Sequence, residues 1–258
     1  MQQHEDYTGL AAVAWDLFSG TEPGPDVPFF ERLLREHPGR ALDVGCGTGR
    51  LVLAYLQAGY EIEGVEPSAD MRAILHRKAA ELNLKPVVYD QVMQELDLPR
   101  TYRVILVPCG SLQLVTDFHE AREAVRRLHA HLDPGGILVL TSYNMIDIYG
   151  AKPAGPDEWR FRARQALPDG TELEKTSRLD HLDLLDQTLK STVRYRRLQG
   201  DEVIEEELCN GDERWYLIRD LTLLLEASGL REIRVTGNYT DNPAQASDYV
   251  FCFTATAR

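Results

Sequence analysis

Apolar and polar residues alternate along this chain with two different periods, and the change between them divides it. Near the start, Leu10, Val13, Ala14, Leu17 and Phe18 fall on one helical stripe, which predicts an amphipathic helix over 6–18. Gly20, Pro23, Gly24 and Pro25 break it, and a second helix is expected over 27–36, stopping before His37-Pro38-Gly39. From Ala41 the rhythm becomes strand, glycine, helix. Short apolar runs at 41–44, 61–65, 86–89, 102–107 and 137–143 read as strands, with helices from Leu51, from Ser68 and from the Asp117-x-x-Glu120 capping box between them. Asp133-Pro134-Gly135-Gly136 reads as the turn before the fifth strand. Strands alternating with helices in this way argue a doubly wound, mostly parallel sheet.

After Gly150 the period drops to two. Trp159, Phe161 and Ala163 alternate with Glu158, Arg160, Arg162 and Arg164, and the same alternation recurs in 173–182, 189–198 and 203–209. Turn signals at Pro168-Asp169-Gly170 and Gln199-Gly200-Asp201 separate these antiparallel strands. A helix at 220–228 and strands at 232–236 and 248–255 close the chain. The expected fold is α/β: a doubly wound, mostly parallel, seven-stranded Rossmann-like sheet with an inserted antiparallel β subdomain. Residues 1–150 and 216–258 form the main domain, with the helices of 6–36 as its cover, and 151–215 the insertion.

Composition narrows the function classes. The chain has 258 residues, 28 lysines and arginines against 41 acids, and a formal charge of −13, which disfavours a nucleic-acid partner. Four cysteines, Cys46, Cys109, Cys209 and Cys252, lie far apart, so neither a zinc signature nor a disulfide framework is expected. Residues 1–6 are polar, unlike a signal peptide, and apolar runs such as 137–140 are far too short to span a bilayer. The expectation is a cytoplasmic protein without membrane contact.

The chemistry concentrates in Leu42-Asp43-Val44-Gly45-Cys46-Gly47-Thr48-Gly49-Arg50. A strand end runs through three alternating glycines into a helix, so a ligand can approach the backbone at a helix N-terminus. Glu66, at the end of the second strand, is placed to accept the hydroxyls of a ribose. A dinucleotide fold wants G-x-G-x-x-G, whereas here Asp43 precedes Gly45-x-Gly47-x-Gly49 and would repel a pyrophosphate. That acid suits a ligand carrying an ammonium and a sulfonium.

At this point the chain resembles the class I S-adenosylmethionine-dependent methyltransferases, whose first motif is (D/E)-x-G-x-G-x-G. Within them it resembles the small-molecule group that includes amino-sugar N-methyltransferases with an antiparallel insertion after strand five. The resemblance implies S-adenosylmethionine as cofactor, S-adenosylhomocysteine as product, and no metal. It implies a cofactor site of Asp43, Gly45, Cys46, Gly47, Gly49, Glu66, Pro67, Met71, Asp90, Gln91, Val92, Pro108, Cys109 and Gly110, with Tyr7 of the covering helix at the methionine end. Asp90 would face the adenine amine. The absence of an Asn/Asp-Pro-Pro-Tyr/Phe run sets nucleobase and glutamine methylation aside.

The acceptor side is sparser. Ser111, Tyr143, Asn144, Trp159, Tyr195 and Tyr216 are candidate substrate contacts, competing with loop and core roles. Among the histidines, His119 is the candidate general base, against a solvated position in the first turn of its helix. Methyl transfer needs mainly alignment, exclusion of water and removal of one proton, so a sparse acid–base set is no contradiction. The expected function is methylation of N or O on a small molecule. The alternatives are a non-catalytic protein binding S-adenosylmethionine or S-adenosylhomocysteine, and a nicotinamide-dependent Rossmann enzyme. The insertion's apolar residues, Trp159, Phe161, Leu173, Leu179, Leu189, Val193 and Tyr195, require cover, so it should supply a substrate lid, a homodimer contact, or both.

Overall fold

The computed structural model describes residues 7–18 and 24–257, so the expectations placed on Asp6, Gly20 and Pro23 lie outside the described residues. Its elements run α1 (Gly9–Phe18), α2 (Asp26–Glu36), β1 (Ala41–Val44), α3 (Arg50–Gln57), β2 (Ile62–Val65), α4 (Ala69–Glu81), β3 (Val88–Tyr89), β4 (Tyr102–Val107), α5 (Phe118–Ala130) and β5 (Leu132–Tyr143). They continue with β6 (Arg160–Ala166), β7 (Glu172–Asp183), β8 (Thr188–Gln199), β9 (Glu202–Asn210), β10 (Glu213–Arg214), α6 (Ile218–Ala227), β11 (Arg231–Gly237) and β12 (Val250–Thr256).

The first sheet has seven strands in the order β11-β12-β5-β4-β1-β2-β3. Pairing is parallel from β5 to β3, and β12 lies antiparallel between β5 and β11. The central strands are continuous apolar runs because helices cover both faces. On one face Leu42, Val44, Ile105 and Leu138 pack against Val125 and Leu128 of α5 and Leu221 and Leu225 of α6. On the other, Ala41, Val104, Leu106 and Val139 pack against Phe30 of α2, Val52 of α3 and Leu75 of α4. With β1 between β4 and β2, the chain order reverses there, leaving a crevice at the strands' carboxyl ends.

The second sheet is wholly antiparallel, in the order β10-β8-β7-β6 with β9 also pairing β8. Its cover comes from the same chain: Leu10, Ala11 and Ala14 of α1 pack on Leu173 and Tyr195. Two carboxylates fix the start of that helix. Gly9 N–H donates to Asp70 Oδ2 of α4 at 2.8 Å, and Leu10 N–H to Glu207 Oε2 of β9 at 2.6 Å. Negative groups at free N–H groups of a helix start are stabilising, so α1 is tied to α4 and to the second sheet at once.

Three expectations change. Phe161 does not pack inward; it is 63% exposed. Asp133-Pro134-Gly135-Gly136 is no separate turn but an irregular stretch inside β5, whose pairing with β4 shifts between Tyr102 and Val104. The two-residue β10 has no counterpart in the sequence pattern, because both of its residues are charged.

Candidate functional site

The carboxyl ends of β1, β2 and β4 surround a cavity of about 260 Å³. Its floor is the loop after β1. Gly45 and Gly47 have φ of 76° and 55°, and a Cβ on them would stand 2.9 Å from Ser111 Oγ and 3.3 Å from Trp15 Nε1. Side chains here would both strain the backbone and fill the cradle. Glu66 pins the loop. Its Oε2 accepts from Gly47 N–H at 2.9 Å and its Oε1 from Ser68 N–H at 2.8 Å, leaving a lone pair on each oxygen for a ligand. Burial raises the Glu66 carboxyl above its usual range, while those two N–H groups pull the other way.

Asp43 is 1% exposed and its Oδ1 has no hydrogen-bond partner. Burial pushes its pKa up to about 7, against the pull of Arg50 and reinforced by Glu66 and Asp26. A buried carboxylate with an orphaned oxygen facing a ligand cavity fits a cationic group, as S-adenosylmethionine offers in its ammonium. Arg50 does not satisfy it, because its guanidinium is held by Asp26 through Nη1 at 3.1 Å and Nη2 at 2.5 Å.

The turn after β4 forms the opposite wall. Cys109 and Gly110 both have positive φ, 55° and 69°. Gln113 then folds back: its Oε1 accepts from Tyr143 N–H at 2.7 Å, while its buried Nε2 has no partner. Tyr7 and Trp15, edge to face at 5.5 Å between ring centroids, line the cavity from the α1 side. From the second sheet come Lys175 of β7 and Glu213 of β10.

The cavity collects most of the expected cofactor residues: Asp43, Gly45, Cys46, Gly47, Glu66, Pro67, Met71, Gln91, Val92, Pro108, Cys109, Gly110 and Tyr7. Two do not line it. Gly49 caps α3 in the left-handed region, where a Cβ would stand 2.8 Å from Leu75 and 3.0 Å from Leu53. Asp90 turns away and pairs with both guanidinium nitrogens of Arg72, at 2.7 and 2.8 Å.

Of the acceptor candidates, Ser111 and Tyr143 line the cavity, and Tyr195 lines an adjoining chamber. The others are placed elsewhere. Asn144 donates to Ala246 and Asp248 carbonyls, the Trp159 ring carries the guanidinium groups of Arg178 and Arg194 at 4.9 and 4.0 Å, and Tyr216 belongs to the core under α6. His119 is exposed, its N–H donating to the Asp117 cap, so it reaches no cavity.

The chamber, of about 450 Å³, shares Trp15, Arg50, Cys109, Tyr143 and Lys175 with the first cavity and adds Phe18, Tyr195, Tyr239 and Tyr249. Sequence reasoning missed Arg50, Gln113, Lys175 and Glu213. Lys175 carried a signal: it falls on the same face of its strand as Leu173 and Leu179, a charge at an inward position.

This sheet order is shared with solved S-adenosylmethionine-dependent methyltransferases, and the glycine cradle and pair of buried acids fit that cofactor. Residues 41–136 match the family described as a methyltransferase domain. It is 30% identical over 141 residues to the dTDP-3-amino-3,6-dideoxy-α-D-glucopyranose N,N-dimethyltransferase of Streptomyces fradiae, covering 52% of this chain and 54% of that one. Curated relatives at this identity are matched over about half their length. Two solved structures share the fold over nearly the whole chain. One is a S-adenosylmethionine-dependent methyltransferase of Clostridium acetobutylicum, with a TM-score of 0.79, 15% identity, and 96% and 97% of the two chains covered. The other is a sugar N-methyltransferase of Streptoalloteichus sp., with a TM-score of 0.71, 24% identity, and 95% and 92% covered. Among the described residues no helix is long and apolar enough to cross a membrane, and no cluster of His, Cys, Asp or Glu could hold a metal ion.

Proposed function

We propose that this protein methylates an amine nitrogen of a small-molecule acceptor of amino-sugar size. The observation that carries the reading is the aromatic chamber opening directly onto the cofactor cavity, walled by Trp15, Tyr143, Tyr195, Tyr239 and Tyr249. Aromatic faces attract an ammonium and pack on the C–H faces of a pyranose ring. The amino-sugar methyltransferase of Streptomyces fradiae is named for an acceptor of this kind.

The roles follow the chemistry. When bound, S-adenosylmethionine supplies a methyl carbon already activated by its sulfonium. Asp43 faces the ammonium of its methionine end, Glu66 takes the ribose hydroxyls, and Gln91 and Val92 border the adenine. Residues 151–215 act as a cover on the acceptor side. The α1 helix and the second sheet keep water out of the space where nitrogen and methyl meet. Holding the two reactants in line is the larger part of the rate, and removal of one N–H proton the smaller.

The test is release of S-adenosylhomocysteine over a panel of amino sugars and simple amines, each paired with its hydroxyl analogue. Turnover with amines and none with the analogues is expected. Turnover confined to hydroxyl compounds overturns the reading.

A further inference from the structure

Three acids line the cofactor-side cavity: Asp43, Glu66 and Glu213. Asp43 lies under the glycine loop, and both oxygens of Glu66 already accept main-chain N–H groups. No histidine lines this cavity or the chamber beside it. Glu213 is therefore the one carboxylate lining the cofactor-side cavity outside the cradle; Asp26, which lines the chamber, is taken up by Arg50. Among the described residues it has neither a hydrogen bond nor an ion pair.

Its backbone is held firmly. β10 pairs with the start of β8, Glu213 opposite Leu189. The next side chain, Arg214, is 4% exposed and clamped, with Nε donating to Thr116 O at 2.7 Å and Nη2 to Asp186 Oδ1 at 3.0 Å. Successive strand residues point to opposite faces, so anchoring Arg214 on one side commits Glu213 to the other, where the cavity is.

We propose that Glu213 takes the proton of the acceptor amine, and that Gln113 Nε2, lining the same cavity, donates to an oxygen beside that amine. The proposal rests on the amine reading above and deepens it to an acceptor bearing a hydroxyl next to its amine. Gln113 cannot flip to offer its oxygen, since Oε1 is occupied by Tyr143 N–H; its orphaned buried donor therefore demands a lone pair from a ligand. Tyr143 joins the two walls, its main chain holding Gln113 and its phenol feeling the charge of Glu213.

The proton moves from the ammonium nitrogen to a Glu213 oxygen. The freed lone pair forms the N–C bond as the methyl C–S bond breaks, and sulfur keeps that bonding pair as a neutral thioether. Glu213 then loses its proton to water. The charged and titratable groups around Glu213 are Lys175 on β7, Arg162 on β6 and Tyr143 on β5. Burial raises the Glu213 carboxyl above its usual range, with Lys175 and Arg162 working the other way. A base moved toward neutrality is better matched to an amine proton than an ordinary carboxylate.

The test uses the full chain and the best amine from the panel. Glu213→Gln should lower kcat at least a hundredfold, the scale of general-base catalysis, and erase the acidic limb of the pH profile. Calorimetry should show S-adenosylhomocysteine binding within twofold of wild type, and weaker binding of the amine to that complex. Glu213→Asp should keep the acidic limb at reduced kcat, which a purely structural role would not require. Gln113→Leu should raise KM for an acceptor with a neighbouring hydroxyl but not for its deoxy counterpart. Wild-type kcat and an intact acidic limb in Glu213→Gln overturn the proposal. A wild-type protein that binds S-adenosylhomocysteine yet methylates no amine sinks the amine reading, and this proposal with it.

Discussion

Glu66 holds the main-chain N–H of Gly47 at 2.9 Å, so the acid placed for the ribose also closes the loop beneath it. Binding and loop order therefore share one side chain. Glu66→Ala removes acceptors for two buried N–H groups as well as the ribose contact. From sequence alone the expected outcome is loss of cofactor binding without unfolding of the protein. The structure adds a stability cost: calorimetry should show S-adenosylhomocysteine affinity lost, and urea unfolding a stability loss of about 2 kcal/mol in a protein that still folds.

Asp43 makes binding depend on pH. Its folded pKa of about 7 lies above the ordinary value of 3.8, so the unliganded protein gains stability from the protonated form. That gain is complete below the ordinary value and is lost as pH rises toward about 7. An ammonium ligand prefers the ionised form. Affinity for S-adenosylhomocysteine should fall as pH drops below about 7, while Asp43→Asn should bind weakly with a flat profile.

Asp90 should matter little. It is 68% exposed and engaged with Arg72, and such pairs contribute about 0–1 kcal/mol. Asp90→Ala should change S-adenosylhomocysteine affinity less than threefold by calorimetry. A tenfold loss would show that the carboxylate swings inward to the adenine.

Asp26 and Arg50 join the starts of α2 and α3, with side-chain exposures of 7% and 22%. Asp26→Ala strands a half-buried guanidinium beside Asp43, and breaking a buried pair from one side costs about 3 kcal/mol. Chemical unfolding should register a loss of that order. Because Arg50 would then be free to turn toward Asp43, the Asp43 pKa should drop.

The α1 helix answers to α4 through Asp70 and to the second sheet through Glu207. The sequence leads one to expect cofactor binding to survive removal of the insertion. With Leu10 and Ala14 packed on Leu173 and Tyr195, that removal also strips the cover carrying Tyr7 and Trp15. Replacing 157–215 by a short linker should therefore weaken S-adenosylhomocysteine binding by tenfold or more and expose α1 to proteolysis.

Legibility followed burial. β1 and β4 could be read because strands covered on both faces are unbroken apolar runs, and the glycine loop because its spacing is fixed by the backbone. Alternation locates β6, β7 and β8 but not which faces a neighbour will cover, so it points Phe161 of β6 inward where the structure leaves it exposed. Glu213 left no mark, since a charge beside Arg214 in a two-residue strand looks like solvated loop. The acceptor wall is built from such residues, brought together by strands far apart in sequence.

The position of β12 orders the birth of the molecule. Val250 to Thr256 form the partner of Ile137 to Tyr143, so β5 keeps an unpaired edge until the ribosome has made the entire second sheet. Pairings this distant in sequence form slowly. A nascent chain halted after α6 would therefore display an open apolar strand edge, which makes the docking of β12 the step that ends its exposure to chaperones and to aggregation.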